Sequence, residues 1–197
     1  MAGLRERKKE ETRIALSWAT VRLAVEHGLD NVRIEDIAAA VGVSPRTFNN
    51  YFASKAEAIA ARHFDRARLI AAELRDRPAS EPLWTAIGNA VLSRFALGSS
   101  GDGARTDEWA AGIKLMVAEP AVQGETLRAG AAAEVELAAA VRDRTGAPDP
   151  YPKFVAGAVM GVINAASQHW LMADSSMSMA DLLRAGITQL SAGLPTP

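Results

Sequence analysis

Arg46, Asn49 and Asn50 lie within five residues of one another, and their side chains carry the groups that read base edges in a DNA groove. A guanidinium can pair bidentately with guanine, and a carboxamide with adenine. At about 100° per residue the three occupy one side of a helix, opposite Phe48 and Phe52. Thr47 and Tyr51 fall on the flank between, and with Lys55 they have the chemistry to reach phosphates. Such a set reads sequence only if a rigid scaffold presents it. The alternative for the same residues is an ordinary helical hairpin with a solvated polar face.

The flanking residues predict that scaffold. Ile34, Ile37, Ala38 and Val41 recur at i, i+3, i+4 and i+7, giving one apolar stripe to a short helix. Glu35 and Asp36 stand in its first turn, where the helix dipole favours anions. Gly42 can take the left-handed conformation of a tight turn, and Val43 can plug the corner. Ser44 is an expected N-cap, and Pro45 occupies the first helical position, where no donor is lost. Helix, tight turn and capped second helix together spell a helix-turn-helix, with Ser44 and Pro45 at the edge of the expected DNA-binding surface.

The stretch from about residue 9 to 57 resembles the N-terminal domain of the tetracycline-repressor (TetR) family of bacterial transcription regulators. The likeness rests on a long first helix ending at Glu26-His27-Gly28, on Ile34, Ile37, Ala38, Val41, Gly42, Val43 and Ser44, on Thr47-Phe48 and Tyr51-Phe52, and on Lys55 and Glu57 opening a fourth helix. Two positions depart from the family pattern. Asn49 stands where an aromatic is usual, which suggests direct base readout and an unusual operator. Arg33 stands where Thr or Ser usually caps the second helix; it has no side-chain acceptor, but its charge suits a phosphate contact.

Composition agrees with this reading without producing it. The 197 residues carry a formal net charge of −1 and are 49% hydrophobic. Met1 to Ala60 hold nine Lys or Arg against eight Asp or Glu, so DNA affinity must depend on where charges are placed. Arg5, Arg7, Lys8 and Lys9 form an expected basic arm over about residues 1–9, which either contacts DNA or is solvated. The chain has no cysteine, which removes disulfides, thiolate nucleophiles and common structural zinc sites. His27, His63 and His169 show no metal-binding spacing, Ser99-Ser100-Gly101 follows nothing strand-like, and Gly98–Gly103 lacks the features of a phosphate-binding loop. Neither catalysis, a metal nor a cofactor is expected. With no signal-peptide pattern and no run of about eighteen apolar residues, the expected location is the cytoplasm.

Helical periodicity continues to the end, so the expected fold is all-α, with about nine helices in an N-terminal DNA-binding domain (1–54) and a helical effector-binding and dimerisation domain (55–197). The first helix is expected from about Lys8 to His27, with Ile14, Trp18, Val21 and Val25 buried. Others are expected over about Lys55–Arg75, Glu81–Leu97, Asp107–Ala118, Pro120–Thr145, Lys153–Ala173 and Met179–Gly193. The last two are the expected homodimer surface. Ala156, Gly157, Gly161 and Ala165 are small residues that permit close helix approach, or that pack within one chain, and Leu182, Leu183, Ile187 and Leu190 form an apolar face. The family resemblance implies a four-helix bundle between subunits, presenting two reading helices to a palindromic operator.

Resemblance and side chains together place an effector site in the middle of the chain. Trp84 and Phe95, Trp109 and Met116, and Met172 offer apolar lining, unless they are simply core. Asn164, Gln168 and His169 could present polar groups to a ligand, or bond across a dimer or to backbone carbonyls. The expected activity is that of a repressor released from its operator by a hydrophobic effector, either an acyl-CoA or a drug-like aromatic. The alternatives are a constitutive DNA-binding or architectural protein without effector, and an activator of the same family type.

Overall fold

The computed structural model describes residues 2–99, 107–172 and 177–195. Among these residues the chain forms nine α-helices and no strand: α1 (Ala2–His27), α2 (Ile34–Val41), α3 (Pro45–Asn49), α4 (Lys55–Asp76), α5 (Leu83–Ser99), α6 (Asp107–Ala118), α7 (Pro120–Thr145), α8 (Tyr151–Met172) and α9 (Met179–Ser191), with a short 3-10 turn at Leu29–Asn31. The all-α expectation holds. Prolines at the first positions of α3 and α7, and Gly28 at a φ of 81° after α1, mark three of the boundaries.

The helices fall into two compact units, Met1–His63 with Ala104–Ala129 and Phe64–Gly103 with Gly130–Pro197. The first unit holds α1 to α3 with the start of α4 as far as His63, α6 and the start of α7. One core of the first unit gathers Leu16 and Ala19 of α1, Ile37 of α2, Phe48, Phe52 and Ala58. A second joins Val21 and Ala24 of α1 to Ala56 and Ile59 of α4, Met116 of α6 and Val122 of α7. At Gly112 a Cβ would lie 2.7 Å from Val25 Cγ1 and 2.8 Å from the Val25 carbonyl oxygen, so α6 meets the backbone of α1 there.

Two expectations for α1 need correction. It begins at Ala2, so Arg5, Arg7, Lys8 and Lys9 lie on its first turns and form no separate arm. Its buried face consists of Leu16, Ser17, Ala19, Thr20, Val21 and Ala24, whereas Ile14 and Trp18 are 39% and 51% exposed. Small side chains are needed there because α1 packs on several elements at once. The two buried hydroxyls are satisfied: Ser17 Oγ donates to Ala58 O (2.6 Å) and Thr20 Oγ1 to Leu16 O (2.8 Å). Trp18 instead carries the Arg62 guanidinium on its ring face, 3.2 Å from the centroid.

The core of the second unit combines residues of α4, α5, α7, α8 and α9, among them Ile70, Leu74, Ile87, Leu137, Val159 and Leu183. Leu183 and Ile187 are buried in it, and Leu182 and Leu190 pack against it. The apolar face of α9 is therefore occupied within the chain and does not stand open for a partner. Gly186 lets α8 and α9 approach, since a Cβ there would lie 2.6 Å from Val162 Cγ1. On α8 the small residues divide: Ala156 is buried in the chain's own core, while Gly161 and Ala165 are exposed.

Candidate nucleic-acid interface

The turn between α2 and α3 forms as its residue types dictate. Gly42 adopts φ 74° and ψ 32°, a left-handed conformation that side chains disfavour, and Val43 N–H donates to Ala38 O at 2.9 Å. Ser44, extended at φ −82° and ψ 155°, accepts from Thr47 N–H through Oγ at 3.2 Å, and the two hydroxyls lie 2.9 Å apart. Behind α3, Phe48 is wholly buried and Phe52 nearly so, with ring centroids 5.7 Å apart. That anchor aims the opposite side of the helix outward. Arg46, Asn49 and Asn50 are exposed together, and Thr47 and Tyr51 are half-buried on the flank, as the helical spacing predicts.

The supporting caps contain a feature that apolar periodicity does not disclose. Ser54 Oγ accepts from Glu57 N–H (3.0 Å), while the Glu57 carboxylate accepts from Ala53 N–H (2.6 Å), fastening the start of α4 to the end of the reading segment. The Ser-x-x-Glu spacing is the signal that could have found it. At the start of α2, Arg33 is exposed and extended, and its N–H donates to the Asp36 carboxylate at 3.0 Å. With no acceptor on its own side chain, Arg33 contributes only the backbone half of a capping box, and the residue stands at the positive end of the α2 dipole.

Lys55 is placed differently from expectation. Its ammonium donates to Leu29 O at 2.6 Å and Val32 O at 2.8 Å, both in the segment between α1 and α2, and the group is part-buried. Two of its three donors are engaged inside the head, tying α4 to that segment.

The structure describes the side chains of six of the eight residues expected to line an effector site, each within its own unit. Trp84 and Phe95 of α5 pack, half-buried, against the core of the second unit, and the Arg66 guanidinium lies 4.3 Å from the Phe95 ring centroid. Met116 is 6% exposed and belongs to the core of the first unit, where α6 meets α1 and α4. Asn164, Gln168 and His169 are not turned into the core of α8's own unit, because the inward face of that helix is taken by Val155, Val159, Ile163 and Ala166; Asn164 and His169 are exposed on it. The side chains of Trp109 and Met172 lie outside the described residues.

The second unit does hold a polar network that hydropathy could not reveal. Arg94 Nη2 donates to Glu73 (2.7 Å), Arg77 pairs with Glu81, Asn89 Nδ2 donates to Glu81 (2.7 Å), and Arg144 donates to the carbonyls of Arg77, Pro78 and Glu81. The hydrogen bond from Arg77, supported by Asn89, holds the Glu81 carboxyl below the ordinary carboxylate range against the opposing effect of burial. Arg94 Nε is buried without a hydrogen-bond partner.

Comparison with known proteins agrees with this geometry. Residues 18–61 match the family described as bacterial regulatory proteins, tetR family, and residues 81–195 match the family described as the MftR C-terminal domain. The chain is 35% identical over 186 residues to the HTH-type transcriptional regulator TcmR of Streptomyces glaucescens, covering 89% of this chain and 80% of that protein. It is 28% identical over 190 residues to MftR of Mycobacterium tuberculosis, a candidate mycofactocin biosynthesis transcriptional regulator, covering 95% and 93%. Its fold resembles the crystal structure of Thermus thermophilus FadR, a TetR-family transcriptional repressor in complex with lauroyl-CoA, at a TM-score of 0.57 and 16% identity over 94% of this chain and 96% of that one.

Proposed function

The chain belongs to the TetR family of bacterial transcription regulators, and from that premise we propose that it is a homodimeric repressor that a hydrophobic effector releases from a palindromic operator. Its family and relatives are regulators of transcription, not enzymes. One observation carries the DNA-reading half: Arg46, Asn49 and Asn50 are exposed on a helix locked by the Ser44 cap on one end and by Phe48 and Phe52 behind. Arg46 reads guanine and the two asparagines read adenine edges, while Thr47, Tyr51 and Arg33 hold the flanking phosphates. Domain 1–54 reads DNA and 55–197 carries effector binding and dimerisation. Among the described residues no helix is long and apolar enough to cross a membrane, and a DNA-binding regulator of this kind works in the cytoplasm.

Dimerisation uses α8 and α9 through the sides that the chain's own core leaves uncovered, including Gly161, Asn164 and Ala165 of α8. An effector enters the second unit near Trp84 and Phe95, where the unsatisfied Arg94 Nε offers a donor to a carbonyl or acidic group. It must bind the DNA-incompetent arrangement more tightly, and a coupling of about 1–3 kcal/mol shifts operator affinity by about 5- to 150-fold. The exposure of Asn164 and His169, and the burial of Met116 in the head, favour the effector-free regulator as the second reading.

The test is binding of the purified protein to its own upstream region at fixed salt, followed by titration of fatty acyl-CoA thioesters and aromatic compounds. A fold neighbour holds lauroyl-CoA, which is why acyl thioesters enter the panel. Release by one compound class supports the gated repressor. Specific binding that no compound disturbs supports the effector-free regulator, and an absence of preference over random DNA contradicts both.

A further inference from the structure

The face of α1 that carries Leu16, Ala19 and Leu23 belongs to the core around Phe48 and Phe52 of the reading segment. Followed toward the helix start at the same phase, that face becomes Thr12, Lys9, Lys8 and Arg5, at intervals of three or four residues. The helix is continuous from Ala2 through this stretch, so the phase is kept. Arg5 stands eleven residues before Leu16, about 16 Å along the axis at 1.5 Å per residue. The cations therefore project beyond the apolar core on the side where α1 packs over the reading helix, and Arg5, Lys8 and Lys9 are all exposed.

Charge along α1 is sorted by face. Arg7 pairs with Glu11 at 3.7 Å and Arg13 with Glu10 at 3.0 Å, while Glu6, three residues before Lys9, borders the Arg5–Lys8–Lys9 face without an ion pair among the described residues. Among the described residues Arg5, Lys8 and Lys9 make no ion pair. The reading segment itself is short of cations: with the Lys55 ammonium engaged by two carbonyls, Arg33 and Arg46 remain, beside Glu35 and Asp36. Since phosphate neutralisation supplies most of the sequence-independent affinity for DNA, it must come from another surface.

The geometry points to the first turns of α1 as that surface, with Arg5, Lys8 and Lys9 contacting the phosphate backbone beside the groove entered by α3. This rests on the DNA-reading assignment and adds to it an interface that sets affinity without setting sequence. A helical mount holds the three charges at fixed spacing, which a disordered basic tail would not.

The test uses the full chain with Arg5, Lys8 and Lys9 all changed to Gln, a substitution that keeps helix propensity. Lys8→Gln and Arg7→Gln serve as single changes on opposite faces, and helicity is checked by circular dichroism. Affinity is measured against a selected genomic fragment and a random duplex of equal length over a series of KCl concentrations. The triple variant should lower the log–log salt slope by about 0.9 for each phosphate left without its cation, up to about 2.7 per bound chain. Its preference for the selected fragment over the random duplex should stay unchanged, and Arg7→Gln should match the parent. A triple variant with the parental slope overturns the proposal, as does an Arg7→Gln effect as large as that of Lys8→Gln, which would mean bulk charge and no particular face. If the parent prefers no fragment, the base-reading assignment falls, while the slopes on random duplex still decide the role of α1.

Discussion

Arg46 and Lys55 are both cations of the reading segment, yet the structure places them differently. Arg46 is exposed on the reading face, so Arg46→Ala should weaken operator binding by about 1–3 kcal/mol and relax preference at one base position, read by competition with single-base operator variants. Lys55 holds the carbonyls of Leu29 and Val32 at 2.6 and 2.8 Å. Lys55→Met should therefore cost about 1–3 kcal/mol of folding stability in denaturant unfolding, because two part-buried acceptors lose a charged donor. Base preference should survive in the folded fraction; if stability is untouched and DNA affinity falls instead, the ammonium works on phosphate. The exposed trio, Phe48 and Phe52 were legible because spacing alone sorts them to opposite sides of a helix. Lys55 was not, because its partners are backbone carbonyls more than twenty residues away, which no local pattern encodes.

Elements with sharp terminators were read well. Gly42, Ser44-Pro45 and Pro120 bound α2, α3 and α7 because left-handed glycine, a side-chain cap and a missing N–H act locally. The face of α1 was misread because Ile14 and Trp18 outrank Ala19, Thr20 and Ala24 in hydrophobicity, while close packing against several elements selects small residues. The apolar face of α9 was hard to read for a related reason: such a face announces burial but not whether its cover is the same chain or a second copy, and here the chain's own core takes Leu183 and Ile187. Two glycine positions give a paired prediction. Gly186→Ala should destabilise by about 1–3 kcal/mol through overpacking and be largely rescued by Val162→Ala, since the 2.6 Å clash is with a side-chain methyl. Gly112→Ala should not be rescued by Val25→Ala, because the Val25 carbonyl oxygen, 2.8 Å away, remains. Thermal melts of the single and double variants decide this; equal rescue at both sites would contradict the backbone approach of α6 to α1.

For the whole molecule, stability and DNA affinity both depend on where charge sits, since the net charge is only −1. Asp149 is held below the ordinary carboxylate range by hydrogen bonds from Lys153 and Arg142, and Asp181 by those from Ser178 and Arg184, in parallel with Glu81. A carboxyl whose pKa is lowered on folding adds stability above its unfolded pKa and loses it as pH falls through the folded value. Melting temperature should thus be flat with respect to these groups from neutral pH down to the ordinary carboxylate range, then decline on further acidification, and Glu81→Gln should shrink the decline. Fold class and family were legible from the helix-turn-helix because its chemistry is local. Residues for an effector site are not legible in the same way, since a cavity depends on how distant helices leave space, and apolar residues such as Met116 look alike in core and lining. The most direct test of the central claim is selection of genomic fragments by the full-length protein, repeated with Arg46→Ala. The account predicts enrichment of a palindromic site with half-sites about 10 bp, or a multiple of that, apart, and a changed base preference at one position per half-site in the variant. No enrichment over random fragments, or the same preference in the variant, would contradict the reading of Arg46, Asn49 and Asn50 as the face that recognises DNA.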